Sequence, residues 1–154
     1  MAKRQLKPNN FELFRIEDTD SINALAGKFE FHANRIEDEE TLFNSALEQA
    51  LNEETALYVL INNKSQSCMG MLSVCFWTIE SSTMLYVSLI CVNRGYRNKK
   101  YMLGGKVQKV STYLLKDICI NILCNIDIQV PLKTIFLQPI NNKVATAYKN
   151  ISKY

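Results

Sequence analysis

The chain has 154 residues, of which 47% are hydrophobic and 21% charged, and its formal net charge is +3. This length and composition suit a single globular domain, 1–154, and leave little room for a second one. No stretch approaches the roughly 20 apolar residues of a membrane span, and the mild net charge gives no general case for a nucleic-acid partner. Residues 1–10 carry cations without an apolar run behind them, which predicts a solvated basic tail.

The cysteines indicate the cellular compartment. The five cysteines form no C-x-x-C pair, have apolar neighbours and are odd in number, which argues against a disulfide framework and against a zinc site. We therefore expect reduced core cysteines in a cytoplasmic protein, and no metal.

The first third of the chain predicts one strand and two helices. Residues 11–16 have the pattern of a strand, and the N-cap residues at 18–21 then open a helical pattern that continues to Phe29. From about Glu39, apolar residues at three-and-four spacing predict a second helix, with Glu39 on its polar side. Both helices are expected to cover a core.

The next part of the chain changes to the pattern of strands. Residues 56–61, 69–79 and 84–92 are β-branched and aromatic runs, separated by short polar segments. They predict an antiparallel meander of three strands.

A basic segment follows the third of these strands. Arg94, Arg97, Lys99 and Lys100 cluster there, and an apolar stripe at helical spacing then predicts one long helix through Leu103, Val107, Val110, Leu114, Ile118 and Ile122. A basic loop that opens a helix is suited to hold phosphate, because the amides of the first turn lack partners and carry partial positive charge. This arrangement points to a nucleotide-type cofactor, although such clusters are more often solvated surface.

The last part of the chain predicts a strand at 134–137 and a final helix that starts near Asn141 or Asn142. The segment 126–131 alternates apolar and polar residues and is a candidate to cover one edge of the sheet.

The element order β-α-α-β-β-β-α-β-α resembles the GNAT superfamily of acetyl-CoA-dependent N-acetyltransferases over nearly the whole chain. Val92, Tyr96 and Arg97 match the register of the family's strand end and of the R/Q-x-x-G-x-G/A loop that grips the cofactor pyrophosphate. Asn141 and Tyr148 match the spacing of a second family motif. The resemblance implies a mixed α/β fold with a largely antiparallel central sheet.

The resemblance also implies site residues. Tyr148 would protonate the departing thiolate, and Glu80 would serve as base directly or through water, with Glu30 and His32 as alternatives. The strand end would offer backbone groups to the pantetheine arm and to the thioester oxygen. The implied cofactor site comprises Ile90, Cys91, Val92, Arg97, Asn98, Lys99, Lys100, Tyr101, Met102, Gly104, Gly105 and Asn141.

Two features depart from the family pattern. The loop glycines align with Lys100 and Met102, so Lys100 either replaces backbone contacts with a point charge or blocks the site, and Gly104 and Gly105 come later. The family usually adds further strands beside the one predicted at 134–137, so this edge is predicted to be open, and a homodimer or a partner is expected there.

Simpler interpretations remain for single residues. Tyr148 alone on an amphipathic helix is usually a packing residue, Cys91 has apolar neighbours and no nearby histidine, and His32 is more often a surface residue than a base.

Three functions follow from these patterns. The first is direct transfer of an acetyl group from acetyl-CoA to an amine on a small molecule, peptide, protein or aminoacyl-tRNA. The second is a catalytically inactive GNAT-like module that binds a protein partner. The third is a nucleic-acid contact through the cations at 94–109, which would show a steep salt dependence.

Overall fold

A computed structural model describes residues 10–31, 36–79, 82–124 and 132–137. Its elements confirm a mixed α/β fold. They are β1 (Phe11–Ile16), α1 (Thr19–Ala24), α2 (Ile36–Leu51), β2 (Ala56–Asn62), β3 (Ser67–Ile79), β4 (Ser82–Val92), β5 (Lys100–Leu103), β6 (Lys106–Lys109), α3 (Val110–Thr112), α4 (Cys119–Cys124) and β7 (Leu132–Leu137).

The first strand and the first helix start as predicted. Asp18 caps α1, because its Oδ2 accepts a hydrogen bond from the Ser21 amide at 2.9 Å, and this bond lowers the pKa of Asp18. The helical segment is shorter than predicted, since α1 gives way to a 3₁₀ turn at Leu25–Gly27. The second helix starts at Ile36, earlier than the predicted start near Glu39.

Five strands form the main sheet, in the order β1-β2-β3-β4-β7. The meander of β2, β3 and β4 is antiparallel as predicted, β1 pairs antiparallel with β2, and β7 runs parallel to β4. Among the described strands, β7 is therefore an edge strand, as predicted for residues 134–137.

The sheet has an apolar core on each face. On one face α1 and α2 bury side chains that include Ile22, Phe29, Phe43 and Leu47. The other face packs against the helical segment that begins at Val110, through side chains that include Leu60, Leu72, Leu85 and Leu114.

The predicted long helix is wrong in its first part. Residues 100–109 form a hairpin of β5 and β6 instead, and the helix begins only at Val110. Gly104 and Gly105 make the two-residue turn with φ of +60° and +81°, the combination of a type I′ turn. Leu103 and Val107 continue the three-and-four spacing of the apolar residues in the helix that follows. Two adjacent glycines between segments of alternating apolar and polar residues nevertheless indicate a hairpin more strongly than this spacing indicates a helix.

The helical segment contains a π-helix, Tyr113–Ile118, between α3 and α4, and we call the whole of 110–124 the π-containing helix. The amide of Cys119 donates to the carbonyl of Leu114, five residues earlier. The helix start lies close to the sheet, since a Cβ on Gly70 would lie only 2.8 Å from Val110 Cγ1. Glycine at this place in β3 permits the close approach.

Several predictions fall outside the described residues. They are most of the basic tail, the whole of the segment 126–131 and the final helix with Asn141 and Tyr148, together with His32 and Glu80.

Candidate functional site

Among the described strands, none pairs with one edge of the C-terminal end of β4. On one side β4 pairs with β3 as far as Val92, whereas on the other side its pairing with β7 ends at Val87. Within the described part of the chain, residues 88–92 therefore have no strand beside their second edge. An edge of this kind exposes backbone N–H and C=O groups that can pair with an extended ligand.

A β-bulge lies where this edge begins. Leu89 pairs with Ser73 and Val87 pairs with Val74, so Ser88 is an extra residue of β4. Its hydroxyl donates to the Ser73 hydroxyl at 2.8 Å, and Ser73 is completely buried. The bulge is thus fixed by side-chain contacts, and a bulge bends its strand locally.

Asn93 fixes the end of β4 to the segment after α1. Its Oδ1 accepts hydrogen bonds from the amides of Glu30 at 2.7 Å and Arg94 at 3.0 Å. Its Nδ2 donates to the carbonyls of Lys28 at 2.9 Å and Cys68 at 2.8 Å. Sequence reasoning missed this residue, although an asparagine directly after a strand is a usual place for side-chain bonds to the backbone.

Arg97 joins β4 to α2. Its Nε donates to the Val92 carbonyl at 2.7 Å, and its Nη1 and Nη2 contact the two carboxylate oxygens of Glu39 at 2.8 and 3.3 Å. Both side chains are largely buried, so Glu39 does not lie on a solvated face as its helical position predicted. The guanidinium holds the strand end in place through a bidentate pair.

Comparisons with known proteins bear on this arrangement. No protein-family model and no curated protein matches the sequence. AtaTR bound with acetyl-CoA has a TM-score of 0.66 at 17% identity, over 94% of this chain and 85% of that chain. A mutant of the toxin AtaT, bound to the C-terminus of the antitoxin AtaR, gives 0.62 at 15% identity, over 93% and 82%. A GNAT family acetyltransferase from Staphylococcus aureus gives 0.53 at 14% identity, over 86% and 88%.

The chain has the GNAT fold. The sequence prediction of this fold is confirmed. The resemblance predicted a glycine loop that opens a helix, but the hairpin of β5 and β6 occupies this position. Lys100, Tyr101 and Met102 are strand residues of β5. Gly104 and Gly105 form the turn of the hairpin.

The hairpin separates the predicted phosphate residues from the helix start. Asn98 and Lys99 are exposed and lie between the 3₁₀ turn Arg94–Tyr96 and β5, with Asn98 at a φ of +60°. The π-containing helix instead has Lys109 at its N-cap, whose side chain makes no capping hydrogen bond. Cations from both ends of the hairpin therefore remain available at the surface.

Tyr101 turns inward. Its ring lies 5.9 Å from that of Phe11 and 5.6 Å from that of Tyr96. The hydroxyl of Tyr96 in turn contacts Asn62, Ser65 and Ser67. Tyr101 therefore anchors the hairpin to the sheet by ring packing.

Cys91 lies buried at the strand end. Burial raises the pKa of its thiol to about 12, despite the nearby Arg97 cation. The cysteine packs in the core on the α1 and α2 side. Cys68 and Cys119 are buried thiols as well.

Two further observations concern the described part of the chain. It contains no helix that is long and apolar enough to span a membrane. Among the same residues no group of three or more His, Cys, Asp or Glu side chains is placed to hold a metal ion.

Proposed function

We propose that this chain is an acetyl-CoA-dependent N-acetyltransferase that transfers the acetyl group directly to an amine. The edge of β4 at residues 88–92, which no described strand covers, lies within a GNAT fold and is the observation that carries the proposal. The pantetheine arm contains two amides, and an amide-bearing chain can pair with a free strand edge as an added strand does.

The backbone of this edge also suits the thioester. We propose that Ile90, Cys91 and Val92 hold the pantetheine arm and that a backbone N–H near Val92 donates to the thioester oxygen, where negative charge develops. Asn98, Lys99 and Lys100 would lie toward the phosphates, with Tyr101, Met102, Gly104, Gly105 and Asn141 completing the cofactor site. Arg97 supports the site by holding Val92 and Glu39 together.

The transfer needs one proton removed and one supplied. The amine nitrogen forms a bond to the thioester carbonyl carbon, the carbon–sulfur bond breaks, and the departing thiolate takes a proton. We propose that Tyr148 supplies this proton and that Glu80 removes the proton of the amine directly or through water. The domain contributes mainly by aligning the two reactants.

The class of acceptor is a separate proposal. Small molecules, peptides, proteins and aminoacyl-tRNA are candidates. The acidic residues Glu30, Glu37, Asp38 and Glu80 would suit a cationic amine. We place the protein in the cytoplasm, where acetyl-CoA is available and thiols stay reduced.

A second function is supported by the hairpin. Strands replace the glycine loop, and Arg97 already binds Glu39, which favours a catalytically inactive GNAT-like module that acts through a protein partner. The AtaT toxin is itself bound to the C-terminus of its antitoxin. The edge at β7 is the place that we propose for such a partner or for a second copy of the chain.

Calorimetric titration with acetyl-CoA distinguishes the two functions. Free CoA and a CoA fragment without the pantetheine arm serve as comparisons, because the β4 edge predicts that the arm is needed for saturable binding. Binding that does not depend on the arm contradicts the proposed edge, and no binding at all favours the inactive module.

Two variants test cofactor binding and acetyl transfer separately. Lys99→Glu combined with Lys100→Glu should weaken acetyl-CoA binding by about tenfold, whereas Arg15→Glu, at an exposed residue of β1 on the far edge of the sheet, should not. Tyr148→Phe should slow CoA release in an amine panel by about a hundredfold or more and leave the affinity for acetyl-CoA nearly unchanged. Equal rates in Tyr148→Phe and wild type would remove the tyrosine from the mechanism.

A further inference from the structure

The hairpin of β5 and β6 presents one face to solvent. The cross-strand pairs Lys100–Lys109 and Met102–Val107 point the same way, because side chains two residues apart in a strand share a face. Met102 and Val107 are 60% and 62% exposed, and both lysines are exposed. We call these four residues the outward face.

The opposite face fixes the hairpin to the body of the protein. Gln108 is buried, and its Nε2 donates to the Leu103 carbonyl at 2.8 Å and to Asp117 Oδ2 at 3.0 Å. A Cβ on Gly104 would lie 2.7 Å from the same carboxylate oxygen, so the turn lies directly against the π-containing helix. The exposure of Met102 and Val107 is thus a property of a packed hairpin.

The charges of the outward face are not balanced within the hairpin. Lys100 and Lys109 stand directly opposite one another, and like charges in that position destabilise a strand pair. No acidic residue occurs between Lys99 and Val110. The one nearby carboxylate described above, Asp117, is hydrogen-bonded to Gln108 on the inward side. A negatively charged partner would remove the repulsion between the lysines.

The exposed apolar pair selects among negatively charged partners. Met102 and Val107 are aliphatic, and the rings of Tyr96 and Tyr101 pack against each other, so no described aromatic side chain of the hairpin offers a stacking surface for bases. The lysine pair and the apolar pair lie about 7 Å apart, because they are separated by two residues along each strand. An acidic and an apolar side chain at alternate positions of an extended peptide have the same separation.

We propose that the outward face binds an extended segment of a partner protein in which an acidic and an apolar side chain lie two residues apart, on the same face of the segment. The acidic side chains contact Lys100 and Lys109, and the apolar side chains cover Met102 and Val107. This interaction goes beyond the proposed acetyl transfer and does not require it, but it shares Lys100 and Met102 with the proposed cofactor site.

Fluorescence anisotropy tests the proposal with labelled probes. The probe is a short peptide with the repeat Glu-Ser-Leu-Ser, which places glutamate and leucine two residues apart on one face of an extended chain, and its control is a peptide in which serine replaces each leucine. We expect the glutamate–leucine peptide to bind saturably and at least about fivefold more tightly than the serine control, since covering the apolar pair contributes to affinity. Single-stranded RNA and vesicles containing phosphatidylserine complete the set.

Matched variants locate the binding on the hairpin. Val107→Ser and Lys109→Glu avoid Lys100 and Met102, which also belong to the proposed cofactor site. Each should weaken peptide binding by about fivefold to tenfold. Leu42→Ser on α2 and Lys28→Glu after α1 make the same chemical changes on exposed residues of the other sheet face and should leave the affinity unchanged. Circular dichroism confirms that each variant is folded.

Three results would overturn the proposal. Equal binding of the leucine and serine peptides, or no binding of either, would exclude a role for the apolar pair. Equal loss in the hairpin variants and their controls would exclude this face as the site. Tighter binding of the RNA or of the vesicles would assign the surface to a different class of partner.

Discussion

Asn93→Ala removes the side chain that fastens the end of β4 to the segment after α1. Three of its hydrogen bonds reach distant residues, namely the Lys28 carbonyl, the Glu30 amide and the Cys68 carbonyl. A hydrogen bond contributes about 0.5–1.5 kcal/mol net, and the bonds to Lys28 and Glu30 are exposed enough for water to replace them. We expect the free energy of unfolding to fall by roughly 1–3 kcal/mol.

Asn93→Asp makes the donor part of the argument testable. The carboxylate still accepts from the two amides, but its second oxygen faces the carbonyls of Lys28 and Cys68 without a proton to share. Folding then raises the pKa of the new carboxyl group, so its penalty is present at neutral pH and is relieved as the pH falls and the group is protonated. The loss relative to wild type should therefore be larger at pH 7 than at pH 4, two values chosen on either side of the expected titration.

Urea unfolding followed by circular dichroism measures both variants. Asn52→Ala is the control, because Asn52 is exposed at the end of α2. The Glu30 amide should also lose hydrogen-exchange protection in Asn93→Ala. The reasoning is refuted if Asn93→Ala unfolds at the same urea concentration as Asn52→Ala, or if the Asp variant loses the same stability at both pH values.

Three other measurements test individual contacts. Gly104→Ala should lower the free energy of unfolding by about 1–3 kcal/mol, because alanine is strained at a φ of +60° and its Cβ would lie 2.7 Å from a carboxylate oxygen of the facing helix. Gly27→Ala is the control, since a Cβ there meets open space. Equal small changes in urea unfolding for the two variants would contradict this packing. Burial raises the pKa of Cys91 and of Cys119 to about 12. Mass spectrometry should therefore find that iodoacetamide leaves both thiols unmodified in the native protein and alkylates both after unfolding. Rapid alkylation of the native protein would contradict the burial. Burial alone would raise the pKa of Tyr96, but hydrogen bonds with two serines and an asparagine outweigh burial and lower the pKa. The difference between the ultraviolet titrations of wild type and Tyr96→Phe should therefore show a phenol whose pKa lies below the ordinary range for tyrosine. A phenol pKa at or above that range would contradict the prediction.

Local patterns in the sequence were sufficient for much of the sheet. Alternation and β-branched content predicted β1 to β4, and the capping residue Asp18 marked the start of α1. These features depend on neighbouring residues alone, because strand alternation and helix caps arise from local backbone geometry.

The hairpin shows where a local pattern misled. Leu103 and Val107 are spaced as if they continued the stripe of Val110 and Leu114, and only Leu103 of the first two is buried. Two glycines with positive φ reverse the chain between them, so the spacing never becomes a helical face. The two glycines are therefore a better guide to the local structure here than the helical spacing of the apolar residues.

The sequence by itself determined the elements from β1 to β4 and, through the resemblance, the GNAT fold. Only the tertiary structure decided that Arg97 binds Glu39 from α2, that Asn93 holds the segment after α1, and that β4 leaves β7 after Val87. These contacts join residues far apart in the chain, and an arginine or asparagine in the sequence carries no local sign of its distant partner. The candidate site is therefore a property of how the elements meet, since packing, and not spacing along the chain, brings its parts together.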